Sequence, residues 1–156
     1  WAIRFLWITL SLTPLALITG WKNVIRFRRL VGLFAFFYVT LHVFSYVALD
    51  QNFNWFAIYN DILKRVFITV GFAAAVILTI LAATSPKFII KRLGGRFWKG
   101  LHQGVYLASI LVVIHFVMMR KGLQIEPLIY TGFLVALLGI RVGVYLKNKV
   151  FTRTAT

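Results

Sequence analysis

Five stretches of this chain are each about as long and as apolar as a lipid bilayer is thick. A spanning helix needs roughly 20 mostly apolar residues. The spacing predicts such helices over residues 2–20, 30–49, 66–84, 101–119 and 127–146. Arg4 interrupts the first near its start, Ser85-Pro86 closes the third, and Pro127 suits the first turn of the fifth. No stretch alternates strictly, so a β-barrel is not expected. With 61% hydrophobic and 13% charged residues, the chain is too greasy for a water-soluble globule or a disordered segment. The expected fold class is an all-α integral membrane protein, a bundle of five transmembrane helices. Residues 1–149 form its single domain and residues 150–156 a tail.

The net charge of +15 sorts along these spans. Lys22, Arg26, Arg28, Arg29, Lys87, Lys91, Arg92, Arg96, Lys99, Lys147, Lys149 and Arg153 fall on one side of the membrane. The other side holds Lys64, Arg65, Arg120 and Lys121 with all three acids, Asp50, Asp61 and Glu126. Basic residues gather in cytoplasmic loops. The expected orientation therefore puts the C-terminus in the cytoplasm and Trp1 outside. The basic loops read first as topology and anionic-lipid contact, not as a nucleic-acid surface. Trp1 suits a membrane interface. A chain that opens without Met, straight into a span, also reads as a fragment lacking an upstream helix.

Soluble-enzyme motifs are missing: there is no phosphate-binding loop, no HExxH and no GxSxG. The chain has no cysteine, which excludes thiolate metal sites and disulfides. The acids all lie in loops, which argues against a carboxylate-based ion carrier. Three histidines remain within the spans: His42, His102 and His115. A lone histidine there can simply pack against a neighbouring carbonyl, but three in so apolar a chain point to a site. His42 and His115 lie 12 and 14 residues into their spans, roughly 18–21 Å from the inner end. Two imidazoles at one depth on facing helices suit axial ligation of a b-type haem. A two-His zinc site would lack the further protein ligands zinc takes.

His102 lies 13 residues before His115, a rise of about 20 Å, and on a straight helix points about 140° away from it. Arg28 and Arg29 occupy the matching depth on the second span, so His102 has no histidine partner there. It reads as a second haem ligand, an interfacial histidine or a partner for a propionate. Arg28, Arg29, Arg92 and Arg96 are candidates to bind propionates or a flavin phosphate, because guanidinium groups grip oxyanions with two hydrogen bonds. Thr40, Ser45 and Ser109 are near enough in sequence to orient an imidazole. Gly100/Gly104 and Gly139/Gly143 repeat GxxxG spacing, and Gly71 with Ala73–Ala75 thins the third span. These read as close helix packing or room for a flat macrocycle. Gly94-Gly95 reads as a turn. Arg141, near the inner end of the fifth span, is expected to snorkel outward.

Trp1-Ala-Ile-Arg-Phe-Leu6, Leu12-Thr-Pro14, Arg28-Arg-Leu-Val-Gly-Leu33, Tyr38-Val-Thr-Leu-His42 and Ser45-Tyr46 follow one another in order. Asp61-Ile-Leu-Lys-Arg65, Ile68-Thr-Val-Gly71, Leu81-Ala-Ala-Thr-Ser85, Arg92-Leu-Gly94 and Trp98-Lys-Gly-Leu-His102 continue the run. Val105-Tyr106, His115, Lys121, Pro127-Leu-Ile-Tyr130 and Arg141 complete it. This series resembles the MsrQ (YedZ) family of haem-binding membrane subunits, within the ferric-reductase-like transmembrane superfamily. The resemblance covers nearly the whole chain, apart from the family's first helix. Val66 and Met118 depart from residues common in the family, and neither departure bears on a candidate ligand.

The resemblance implies an electron-transfer subunit of the bacterial inner membrane, not a catalytic subunit. Electrons would enter from the quinone pool or a cytosolic flavin reductase and cross on one or two b-type haems, with FMN as a further cofactor. They would leave to MsrP, a periplasmic molybdopterin enzyme that reduces methionine sulfoxide. It implies His42 and His115 as the outer haem pair and His102 as the inner histidine. Two other readings stay open. One is a self-standing ferric or quinone reductase. The other is a non-redox transport or assembly protein.

Overall fold

A computed structural model describes residues 1–120 and 125–154. The described residues are almost wholly helical, without a strand. α1 covers Ala2–Thr19 and ends at Gly20, whose φ of 72° suits a residue without a Cβ. A short 3-10 segment, Lys22–Phe27, leads into α2, Arg28–Ser45, which widens into a π-helical turn over Tyr46–Asp50. α3 is Trp55–Lys64 and α4 is Val66–Ala83. α5, Lys87–Leu93, and α6, Gly95–His102, lie in the basic segment that follows α4. α7 is Gly104–Met119 and α8 is Ile125–Thr154.

Five helical runs are long and apolar enough to cross a membrane: Ala2–Thr19, Lys22–Asp50, Val66–Ala83, Gly95–Met119 and Ile125–Val144. The second and fourth begin earlier than hydropathy suggested, because short helices in the basic segments feed directly into them. α8 runs on to Thr154, so the boundary expected after residue 149 lies inside a helix. Lys121 falls outside the described residues.

The bundle is held by α4 against α7 and α1 against α2, with α8 closing on α1 and α7. Its core joins Leu6, Trp7 and Leu10 of α1 to Leu78 and Leu81 of α4 and Leu134 and Leu137 of α8. Small buried residues, Ala35, Ala74, Ala108 and Ser109, let the backbones approach. Phe34, Phe37, Phe72, Ile114 and Val135 stay exposed, the side chains that a membrane-crossing bundle turns toward lipid. Of the GxxxG glycines, only Gly104 packs closely, against Ile77 and Leu81; a Cβ at Gly100, Gly139 or Gly143 would meet nothing. Close packing through those three is therefore not what the described chain uses them for. Gly94, at φ 79°, makes the expected turn between α5 and α6.

α3 falls in a stretch that hydropathy left as a loop. Asn54 caps it by accepting the Ala57 N–H at 3.1 Å. Asp61 on α3 accepts from Tyr46 and Gln51, both at 2.9 Å, and pairs with Arg65 at 3.1 Å. The π turn that follows His42 is thereby tied to the start of α4.

Candidate functional site

His42 on α2 and His115 on α7 face each other. Their ring centres are 6.3 Å apart and their planes are inclined at 69°. Two imidazoles sharing one metal ion through bonds of about 2.0–2.1 Å would have their ring centres at about this separation, so the spacing leaves room for one ion between the rings. Among the described residues no three His, Asp or Glu side chains converge as a metal site. That leaves the pair short of the ligand set zinc prefers.

The His115 ring is oriented by backbone. Its Nδ1 lies 2.7 Å from the Phe67 carbonyl oxygen on α4. A carbonyl only accepts, so Nδ1 carries the proton of the neutral ring and Nε2 keeps its lone pair for a metal. Gly71, one turn after Phe67, makes the contact possible. A Cβ there would stand 2.6 Å from Nδ1 and 2.7 Å from Cε1 of His115. The glycine leaves a notch that seats the imidazole and uncovers the carbonyl beneath it. His42 is exposed on α2 and makes no side-chain hydrogen bond among the described residues. Only its backbone is engaged, its carbonyl accepting from the Ser45 hydroxyl at 2.9 Å.

The hydroxyls that sequence reasoning put forward as imidazole partners are used otherwise. Thr40, Ser45 and Ser109 donate to the carbonyls of Phe36, His42 and Val105. The orienting group is a carbonyl 48 residues away in the chain, which side-chain inspection misses. Gly71 was the visible trace of it.

His102 ends α6, and the chain turns at Gln103 before α7 resumes. Gln103 keeps right-handed helical angles, so Gly95–Met119 remains one run and the phase between His102 and His115 is shifted only locally. The His102 Nε2 lies 3.2 Å from the Thr84 hydroxyl, which itself donates to the Ile80 carbonyl at 2.7 Å. Thr84 Oγ1 is thus the acceptor, and His102 presents Nδ1 as its free lone pair. The Trp98 ring stacks on His102 at 4.0 Å, and its indole N–H donates to the Thr84 carbonyl at 3.0 Å. No second histidine joins His102.

Of the four candidate arginines, Arg28 is half-buried at the start of α2, near enough to His102 and Arg141 to act on both through its charge. Arg29, Arg92 and Arg96 are exposed. Arg141 does not snorkel out. It donates to the Leu10 carbonyl at 3.0 Å and to the Tyr106 hydroxyl, with its guanidinium 5.0 Å from the Tyr106 ring centre. The Leu10 carbonyl is available because Pro14, four residues on, has no N–H to offer it.

Residues 1–119 match the family described as the ferric reductase like transmembrane component. The MsrQ heme-binding subunit of a protein-methionine-sulfoxide reductase from Rhodospirillum rubrum is 50% identical over 141 residues, covering 90% of this chain and 68% of that protein. The MsrQ of Xanthomonas euvesicatoria is 49% identical over 142 residues, 91% of this chain and 65% of its own length. The magnetosome protein MamZ of Magnetospirillum gryphiswaldense is 43% identical over 141 residues, only 22% of its length. The chain thus spans about two thirds of the MsrQ relatives it matches. No solved structure matches it. The chain belongs to the ferric-reductase-like transmembrane family, alongside the MsrQ heme-binding subunits that it is similar to over nearly all of its length.

Proposed function

We propose that this chain is the membrane domain of an MsrQ-type electron carrier, with residues 1–149 as its haem-binding core. The observation that carries the reading is the His42–His115 pair, ring centres 6.3 Å apart, with His115 held in the tautomer that frees Nε2. A b-type haem bound there supplies a one-electron couple inside the membrane. His42 and His115 would hold the iron, and the Phe67 carbonyl strengthens His115 as a donor by taking its other N–H. Arg28, Arg29, Arg92 and Arg96 would make the inner face attractive to propionates or to a flavin phosphate, including FMN.

Electrons enter at the basic inner face from the quinone pool or a cytosolic flavin reductase. They leave outward to a periplasmic methionine-sulfoxide reductase of the MsrP type. The charge distribution supports a cytoplasmic C-terminus in a bacterial inner membrane. His102 would serve at the inner level, through Nδ1 or after Thr84 releases Nε2. The purified protein is expected to show a Soret band that shifts on reduction. A colourless, iron-free protein would overturn the proposal and favour a transport or assembly role.

A further inference from the structure

We propose that α3 is an interfacial anchor, its exposed aromatic stripe seated in the lipid headgroup layer at the end of the bundle where α2 stops and α4 begins. Ten residues are too few to span a bilayer, but at 1.5 Å per residue α3 can lie about 15 Å along its surface. At 3.6 residues per turn its side chains sort into three faces. Ala57, Ile58, Asp61 and Ile62 fall together and are half-buried, the face on which Asp61 holds Tyr46 and Gln51. Trp55, Tyr59, Leu63 and Phe56 share the next arc of about 100° and are 61–77% exposed. Asn60 and Lys64 then form a polar edge before the bundle face returns. A helix packed on protein and otherwise surrounded by water would be polar over both remaining arcs. Protein, apolar and polar faces in turn suit a helix seated where bundle, lipid and water meet.

Two observations make lipid the partner of the apolar face. The first is continuity with the spans. Phe53, exposed just before α3, packs edge-on against Phe44, with ring centres 6.5 Å apart and planes inclined at 69°. Phe44 is itself exposed and belongs to the span Lys22–Asp50, so the stripe runs into the lipid-facing surface of that span. Phe53 takes a left-handed φ of 59°, which a bulky residue adopts only where its surroundings hold it. Its N–H donates to the Val47 carbonyl at 2.9 Å. The second observation is residue type. Trp and Tyr rings are apolar with one polar atom and settle at headgroup level, and Lys64 on the adjoining edge can extend to lipid phosphates. The hydrogen bonds of Asp61 to Tyr46 and Gln51 carry this seating to the π turn that follows His42.

The test uses the full-length protein in vesicles of phosphatidylethanolamine and phosphatidylglycerol. This sequence has no cysteine, so Phe56→Cys, Tyr59→Cys, Leu63→Cys, Asn60→Cys and Lys64→Cys each take a single thiol-directed spin label once any cysteine outside it is replaced. Labels in place of Phe56, Tyr59 and Leu63 are expected to collide more with oxygen, which concentrates in lipid, than with a water-soluble nickel chelate. Labels in place of Asn60 and Lys64 are expected to do the reverse. Stripe labels that favour the nickel chelate overturn the proposal, because the face then lies in water. Stripe labels shielded from both reagents also overturn it, because the cover is then protein, an upstream segment or a partner subunit. A second measurement needs no label. The share of the tryptophan emission that Trp55→Phe removes is expected to be quenched more by phospholipid brominated near the headgroup than by phospholipid brominated at the chain end. No quenching, or the reverse order, overturns the proposal even where a labelled variant fails to fold.

Discussion

The His42/His115 level and the His102 level use the same side chain in opposite ways. At the first, His115 donates its Nδ1–H to a backbone carbonyl and keeps Nε2 open, with a second imidazole ring centre 6.3 Å away. At the second, His102 spends Nε2 on Thr84 and lies under Trp98, with no second histidine beside it. A histidine within a span is therefore not one kind of evidence. Which nitrogen the surroundings consume decides whether the ring is ready for a metal or already part of a packing network.

The largest effects should come from removing the outer pair. His42→Ala and His115→Ala are each expected to abolish most of the haem absorbance, measured as the Soret band per mole of protein. Next comes Gly71→Val, which puts a side chain where the His115 ring lies. Haem affinity should fall about 10–100-fold, as for loss of an outer-shell partner, while circular dichroism keeps its helical signal. A variant with wild-type haem content would show that the notch is not what seats His115.

His102→Ala should leave the outer haem in place, so the low-spin signal of the pair persists. Its loss would erase the contrast between the two levels. Thr84→Val sharpens the same contrast, because it frees His102 Nε2 while changing little bulk; any new ligation would appear as added haem uptake that His102→Ala cancels. The smallest effects belong to the exposed arginines. Arg29→Gln, Arg92→Gln and Arg96→Gln should each leave stability within about 0.5 kcal/mol, read by thermal melting, while weakening the salt-dependent attraction of that face for a flavin phosphate, a propionate or an anionic donor.

Hydropathy made the five spans legible because twenty apolar residues in a row have few other uses. The depth match of His42 and His115 was legible for the same reason, since rise per residue is fixed within a helix. What stayed hidden depends on partners far apart in the chain. Phe67 and His115 meet through a backbone carbonyl, which no residue name advertises. Arg141 stays inside because Pro14 leaves the Leu10 carbonyl unpaired, a consequence of one missing N–H on another helix. α3 was passed over as a loop because only ten residues long, although Asn54 and the Asp61/Arg65 spacing mark a cap and an i,i+4 pair.

The most direct measurement is low-temperature electron paramagnetic resonance of the oxidised protein, wild type beside His42→Ala and His115→Ala at equal iron. The expected result is a low-spin bis-imidazole signal in wild type that is lost in both variants. The same signal surviving in either variant would contradict a single iron held between these two rings.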